Sequence, residues 1–307
     1  MNHKIKRVSI IGLGALGILY GEHFSKYMDY ENLRIVADKG RINRYRSEGI
    51  FCNGEECNFN YVSPEENVDP ADLIIFAVKY PNLQEAIKMV ENHVGENTII
   101  LSVLNGIESE KDIAEVYGEE HNLYCIAYGM TASKVRNQVN YLNKGIIEFG
   151  ELKESINSNK VGRLKDFFDL VNLPYEVNNN MEVKLWSKLM CNVGFNQTVA
   201  YHNSNNESIQ KEGPEREMLI AAMEEVLTVA NKEGVSLEYD ELNYWLELLN
   251  GLNPEGMPSM AQDVKAKRYS EFELFSGTVV RLAAKHNIDV PVNTKFYKHF
   301  SKLEASY

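Results

Sequence analysis

The chain has 307 residues, of which 44% are hydrophobic and 25% charged. That length suits two domains of ordinary size, and the composition is that of a folded globular enzyme rather than a disordered or fibrous chain. Acidic residues outnumber basic ones by 44 to 32, a formal charge of -12, and no dense Lys/Arg tract offers a footprint for nucleic acid or for an anionic membrane.

At the start, Lys4, Lys6 and Arg7 precede an apolar stretch from Val8 to Tyr20, an order that imitates a secretory signal. Glycines at 12, 14 and 17 interrupt the stretch, and the helical pattern runs on through Glu22, His23 and Lys26 instead of stopping at a cleavage site. A strand followed by a helix is the better reading. No other segment approaches the roughly 18 apolar residues that cross a bilayer. Cys52, Cys57, Cys125 and Cys191 include no CxxC pair and no His at zinc-ligand spacing, so neither a metal site nor a disulfide framework is expected, and a reducing cytoplasm is the expected setting.

Short β-rich runs follow at Val8 to Ile11, Leu33 to Ala37, Leu73 to Val78, Thr98 to Ser102 and Leu123 to Tyr128, separated by longer polar segments. That alternation predicts an α/β domain with a doubly wound parallel sheet. Leu73 to Val78 is apolar at every position, as a central strand covered on both faces should be. Residues 49–58 read as an added hairpin. From Met181 onward apolar residues recur at three- and four-residue spacing, which predicts an all-helical second domain. The expected division is 1–178 and 179–307, with 178–180 as linker and helix start and the Gly/Pro-rich 251–258 as a rigid loop before another helix.

Gly12-Leu13-Gly14-Ala15-Leu16-Gly17 follows the first strand and opens a helix, the context in which GxGxxG implies a dinucleotide. The first glycine permits the turn, the second lets backbone approach a pyrophosphate, and the third allows close helix packing, while the helix N-terminus offers N–H groups to the anion. The plainer alternative is that these glycines only pack a helix on a strand. About 20 residues beyond Gly17, Asp38 ends the second strand, where an acid usually takes the ribose 2′-hydroxyl of NAD. Lys39, Arg41 and Arg44 follow at once and could hold the 2′-phosphate of NADP if Asp38 turns away; otherwise they are a solvated helix start. Lys79 and Asn105-Gly106 lie just past the ends of two later strands, at the ligand-binding edge of such a sheet, although each could equally be an ordinary surface lysine or turn residue.

Lys188, Asn192 and Asn196 recur every four residues among Leu185, Trp186, Leu189, Met190, Val193 and Phe195, a polar stripe on an otherwise buried helix. A lysine and two amides in such surroundings need partners. Those partners could be another helix or solvent. Chemistry offers a third: hydride reduction of a ketone creates an alkoxide, which a lysine can protonate while amides hold a substrate carboxylate or hydroxyl. Ser259 and Glu271 extend the same question. Ser259 could cap a helix and Asp263, Lys267 and Glu271 could form an i,i+4 surface ladder; alternatively Ser259 binds a carboxylate and Glu271 a hydroxyl.

Taken together and in this order, Gly12 to Gly17, Lys79, Asn105-Gly106, Lys144-Gly145 to Phe149-Gly150, Trp186-x-Lys188-x-x-x-Asn192-x-x-x-Asn196, Ser259-Met260-x-Gln262-Asp263, Glu271 and Pro291 resemble the ketopantoate reductase family. The resemblance covers nearly the whole chain. It implies a Rossmann domain followed by a helical domain like the C-terminal one of 6-phosphogluconate dehydrogenase, with substrate in the cleft between them. It implies reduction of 2-dehydropantoate to (R)-pantoate with NADPH, as in pantothenate biosynthesis. Lys188 would be the general acid, Glu271 a second catalytic group contacting substrate, and Asn192, Asn196 and Ser259 substrate-binding. Residues 12–17, Asp38, Lys39, Lys79 and Asn105 would hold the cofactor. The chain departs from the pattern at Asp38-Lys39, where NADPH-dependent members often carry a basic residue, so NADH is the alternative cofactor and NAD-linked D-2-hydroxyacid dehydrogenases of the same fold are the alternative function. The expected partner is a small 2-keto acid, with a homodimer as the assembly to consider.

Overall fold

A computed structural model of the chain describes residues 3–153 and 158–307. The chain divides into two compact units, one made of residues 1–104 and 108–181, the other of 105–107 and 182–307.

In the first unit β1 (Val8–Ile11), β2 (Leu33–Val36), β6 (Leu73–Phe76) and β7 (Ile99–Ser102) are each buried at all four positions. Side chains alternate across the sheet. Ile10, Ile35, Ile75 and Leu101 therefore join one hydrophobic cluster, and Ile11, Val36, Ile74, Phe76 and Ile100 join another. Strands buried on both faces demand cover on both, and helices supply it. α1 (Ala15–Ser25), with Phe24 in edge contact with Phe167 of α5 (Asn159–Leu170), belongs to the first cluster. α3 (Leu83–Met89) and α4 (Ser109–Tyr117) belong to the second. α2 (Lys39–Glu48) buries only Ile42.

The strand order is β4-β3-β9-β8-β7-β6-β1-β2-β5, where β3 is Phe51–Cys52, β4 Glu55–Glu56, β5 Asn60–Val62, β8 Asn122–Val135 and β9 Gln138–Gly150. From β1 the chain builds outward through β2 and β5 on one side and through β6, β7 and β8 on the other, all by parallel pairing. The order thus reverses between β1 and β6, the crevice where open α/β sheets take ligands.

Beyond β7 the sheet departs from the all-parallel expectation. β8 (Asn122–Val135) and β9 (Gln138–Gly150) form an antiparallel arm with an irregularity between Met130 and Ala132. β10 (Tyr175–Val177) pairs parallel to β9. The predicted hairpin at 49–58 is present as antiparallel β3 and β4, and β3 joins β9 in parallel. The sheet is therefore mixed. The strand expected at Leu123 to Tyr128 runs seven residues further, its first six positions buried and the rest alternating in exposure.

The second unit is helical: α6 (Met181–Cys191), α7 (Gln197–His202), α8 (Glu207–Gln210), α9 (Pro214–Lys232), α10 (Tyr239–Asn250), α11 (Ser259–Lys265), α12 (Thr278–His286) and α13 (Pro291–Glu304). Asn203 and Asn287 end α7 and α12 in the left-handed conformation, the usual helix stop when glycine is not used. Two π-helical segments, Asn192–Asn196 and Glu273–Gly277, run directly into α7 and α12. Gln197, fully buried, ties them together: its Oε1 accepts from the Ser276 N–H at 3.2 Å and its Nε2 donates to the Val193 carbonyl at 3.1 Å. Among the described residues, no helix is long and apolar enough to cross a membrane.

Candidate active site

The glycine turn sits at the end of β1. Gly12 has φ 98°, and a Cβ there would stand 2.6 Å from the Ala77 carbonyl oxygen just past β6. A Cβ on Gly17 would stand 1.8 Å from the Gly12 oxygen. Leu13 is buried, while Gly14, Ala15 and Leu16 are partly exposed. Gly14 caps α1 without any side-chain hydrogen bond, and the first turn holds no acid. The N–H groups of that turn are thus left for an anion. A cradle that no side chain could share, at the sheet's reversal point and below an uncapped helix, fits a dinucleotide pyrophosphate.

Asp38 does not turn away from the helix it precedes. It is the N-cap of α2, accepting from the Arg41 N–H at 2.8 Å, and its other oxygen lies 3.3 Å from the Arg41 guanidinium. Lys39, exposed, is 3.6 Å from Glu65. Lys79 is exposed and caps the short turn after β6. One neighbour carries no sequence signal: Lys134, on the β8–β9 arm, donates through Nζ to the Leu13 carbonyl inside the glycine turn.

In the second unit the polar stripe is not the regular α-helix its four-residue spacing suggested. Lys188 is half-buried on α6, but Asn192 to Asn196 is a π turn, in which Asn192 and Asn196, four apart, still meet. Gly194 allows it. A Cβ there would meet Met223 Cγ at 2.5 Å and the Leu219 carbonyl at 2.9 Å, both on α9.

The amides form one directional chain. Ser259 Oγ and the Met260 N–H each donate to Asn196 Oδ1 at 3.3 Å. Asn196 Nδ2 donates to Asn192 Oδ1 at 3.1 Å, Asn192 Nδ2 to Asn105 Oδ1 at 3.4 Å, and Asn105 Nδ2 to Glu271 Oε2 at 2.8 Å. A carboxylate only accepts, so Glu271 forces Asn105 to present its NH₂, and each amide in turn sets the next. The result is a fixed row ending in the exposed Ser259 hydroxyl at one end and a half-buried carboxylate at the other. Each amide NH₂ in the row keeps a second hydrogen for an oxygen-rich ligand, while Ser259, whose one proton goes to Asn196, has to turn to donate to it.

Two plainer expectations fail here. Ser259 is the first residue of α11 and makes no cap bond. The ladder Asp263, Lys267, Glu271 does not form, because α11 ends at Lys265, Lys267 is left-handed with φ 51°, and Asp263 pairs instead with Arg268 at 2.8 Å. Sequence reasoning also missed what anchors α6: Ser187 receives a hydrogen bond from Trp245 Nε1 at 2.7 Å and donates to Glu241, which Lys184 meets at 3.1 Å.

Residues 8–154 match the family model described as Ketopantoate reductase PanE/ApbA, and residues 180–304 match the model of its C-terminal domain. A curated relative, the 2-dehydropantoate 2-reductase of Salmonella typhimurium, is 24% identical over 303 residues, covering 98% of this chain and 96% of its own. Among solved structures, a D-mandelate dehydrogenase in a ternary complex with NADH and anilino(oxo)acetate is similar at TM-score 0.84 and 21% identity, covering 98% of this chain and 99% of that one. A dimeric ketopantoate reductase from Staphylococcus aureus is similar at TM-score 0.80 and 19% identity with the same coverage.

Proposed function

The chain belongs to the ketopantoate reductase family of oxidoreductases, and on that premise we propose that it reduces 2-dehydropantoate to (R)-pantoate with NADPH, the pantoate serving pantothenate and coenzyme A synthesis. The observation that carries this reading is the oriented row from Ser259 through Asn196, Asn192 and Asn105 to Glu271, one helical turn from Lys188.

The cofactor's chemistry, when bound, is delivery of a hydride to C2 of the keto acid. Residues 12–17 hold its pyrophosphate, with Asp38, Lys39, Lys79 and Asn105 as the remaining cofactor contacts. The row does the rest of the positioning. Ser259 and the amides of Asn192 and Asn196 bind the substrate carboxylate and hydroxyl, and Glu271 fixes the row and orients the substrate. Lys188 gives its proton to the oxygen that gains charge at C2. The dimer described for the Staphylococcus aureus relative is the assembly this reading adopts. None of Cys52, Cys57, Cys125 and Cys191 is in a disulfide, which suits a reducing cytoplasm.

A second reading keeps the chemistry and changes the substrate: an NAD-dependent D-2-hydroxyacid dehydrogenase acting on another branched or aromatic 2-keto acid. It is favoured by Asp38 at the end of β2 and by the likeness to the D-mandelate dehydrogenase. Initial rates with ketopantoate, 2-ketoisovalerate and benzoylformate, each with NADPH and NADH, separate the two. Ketopantoate with the highest kcat/KM supports the first reading; a preference for benzoylformate or 2-ketoisovalerate overturns it in favour of the second.

A further inference from the structure

The proposed function leaves one group next to the cofactor turn unused. Lys134 projects from the β8–β9 arm, where it pairs with Val139, and its ammonium is hydrogen-bonded to the Leu13 carbonyl between the first two glycines. It is half-buried. Arg44, on the second turn of α2, lies close enough for its charge to act on Lys134, and its guanidinium rests over the Tyr45 ring at 5.4 Å.

The basic residues around this turn fall into two groups. Lys39 faces Glu65 and Arg41 faces both Asp38 and Glu85, each within 3.6 Å. Lys134 and Arg44 have no carboxylate partner among the described residues. Burial first, and then the neighbouring Arg44, push the Lys134 ammonium below its ordinary pKa. Like charges held near one another, Lys134 half-buried and Arg44 exposed, oppose one another, and an anion placed between them removes that cost.

Two phosphate positions compete for them. The N–H groups of α1 are directed at the pyrophosphate, whereas Arg44 stands on the helix that Asp38 caps, and Asp38 marks the adenosine ribose. Asp38 itself is engaged by the Arg41 N–H and guanidinium, which offsets the repulsion its charge would exert on a ribose phosphate. We propose that Lys134, acting with Arg44, receives the 2′-phosphate of the adenosine ribose, so that an arm of the sheet, and not the end of β2, sets a preference for NADPH over NADH. The inference rests on the dinucleotide reading of residues 12–17 but not on the identity of the keto acid. Lys134 has no place in the hydride or proton transfer.

Direct titration of the purified full-length chain with NADPH and with NADH, without keto acid, tests it. Wild type is expected to bind NADPH more tightly. Removing a charge-assisted contact in Lys134→Ala should weaken NADPH about ten- to hundredfold and leave NADH unchanged, and Lys134→Arg should restore most of the loss. Arg44→Ala, which removes an exposed side chain on α2, should show the same selective loss and covers the case of a Lys134 variant that fails to fold. Equal weakening of both dinucleotides, or no change in either, overturns the inference while leaving the dinucleotide site standing. Wild type that binds neither dinucleotide overturns both together.

Discussion

His93 is fully buried, its Nδ1 2.8 Å from the Ser9 hydroxyl of β1 and its Nε2 without a partner among the described residues. A proton added there would have no acceptor. Burial, and then the nearby Arg34, lower its pKa from 6.5 to about 4, with Glu66 acting weakly in the other direction. In the unfolded chain the imidazole takes its proton near 6.5, so between pH 6.5 and about 4 the unfolded state binds the extra proton and the folded state does not. Stability is therefore complete above 6.5 and falls as pH drops through that window, by roughly 3 kcal/mol for the full shift. Thermal melts of wild type and His93→Gln across the window check this: the variant should be less stable at neutral pH but lose less on acidification. At the same scale, Asn105 shows the limit of reading one residue alone. In sequence it is a turn residue before glycine; its role emerges only from Glu271, 166 positions away, which fixes its amide. Asp38 was legible as the acid ending β2, whereas its capping of α2 and its pairing with Arg41 depend on how the helix begins.

At the level of elements, the π turn at Asn192–Asn196 carries the two amides at the centre of the hydrogen-bonded row. It survives because Gly194 lets it press against α9. Gly194→Ala must displace both the Met223 side chain and the Leu219 carbonyl, and overpacking of this kind costs about 1–3 kcal/mol. Because the same shift moves Asn192 and Asn196, KM for the keto acid should rise while the affinity for dinucleotide holds; denaturant melts and steady-state kinetics on the variant measure the two effects. Hydrophobic patterning announced β1, β6 and β7, since their residues are apolar on both faces. It did not announce the arm. From Met130 to Lys144 the exposed positions mix polar residues with Val135 and Leu142, and Gly145 takes φ 70° where a Cβ would strike the Tyr128 carbonyl at 2.3 Å. Period-two alternation with half its members polar and a glycine inside reads as loop until a partner strand is known. The π segments carry no signal of their own for a related reason: a four-residue spacing suits an α-helical face equally well.

For the whole molecule, the sequence turns near Met181 from alternating strands and helices to helices alone, and the sheet precedes that point while the helical unit follows it. The two units contribute different capacities. One offers a glycine cradle at the reversal of a sheet and the other an oriented polar row with a lysine one turn away. In the proposed reaction the group that gives the proton is Lys188. The most direct measurement is kcat for ketopantoate reduction by Lys188→Ala, taken together with the variant's affinity for NADPH. Loss of a general acid predicts a fall of about 10²- to 10⁴-fold with dinucleotide affinity retained. Turnover close to that of wild type would contradict the account, because the row would then hold no group on which the proton transfer depends.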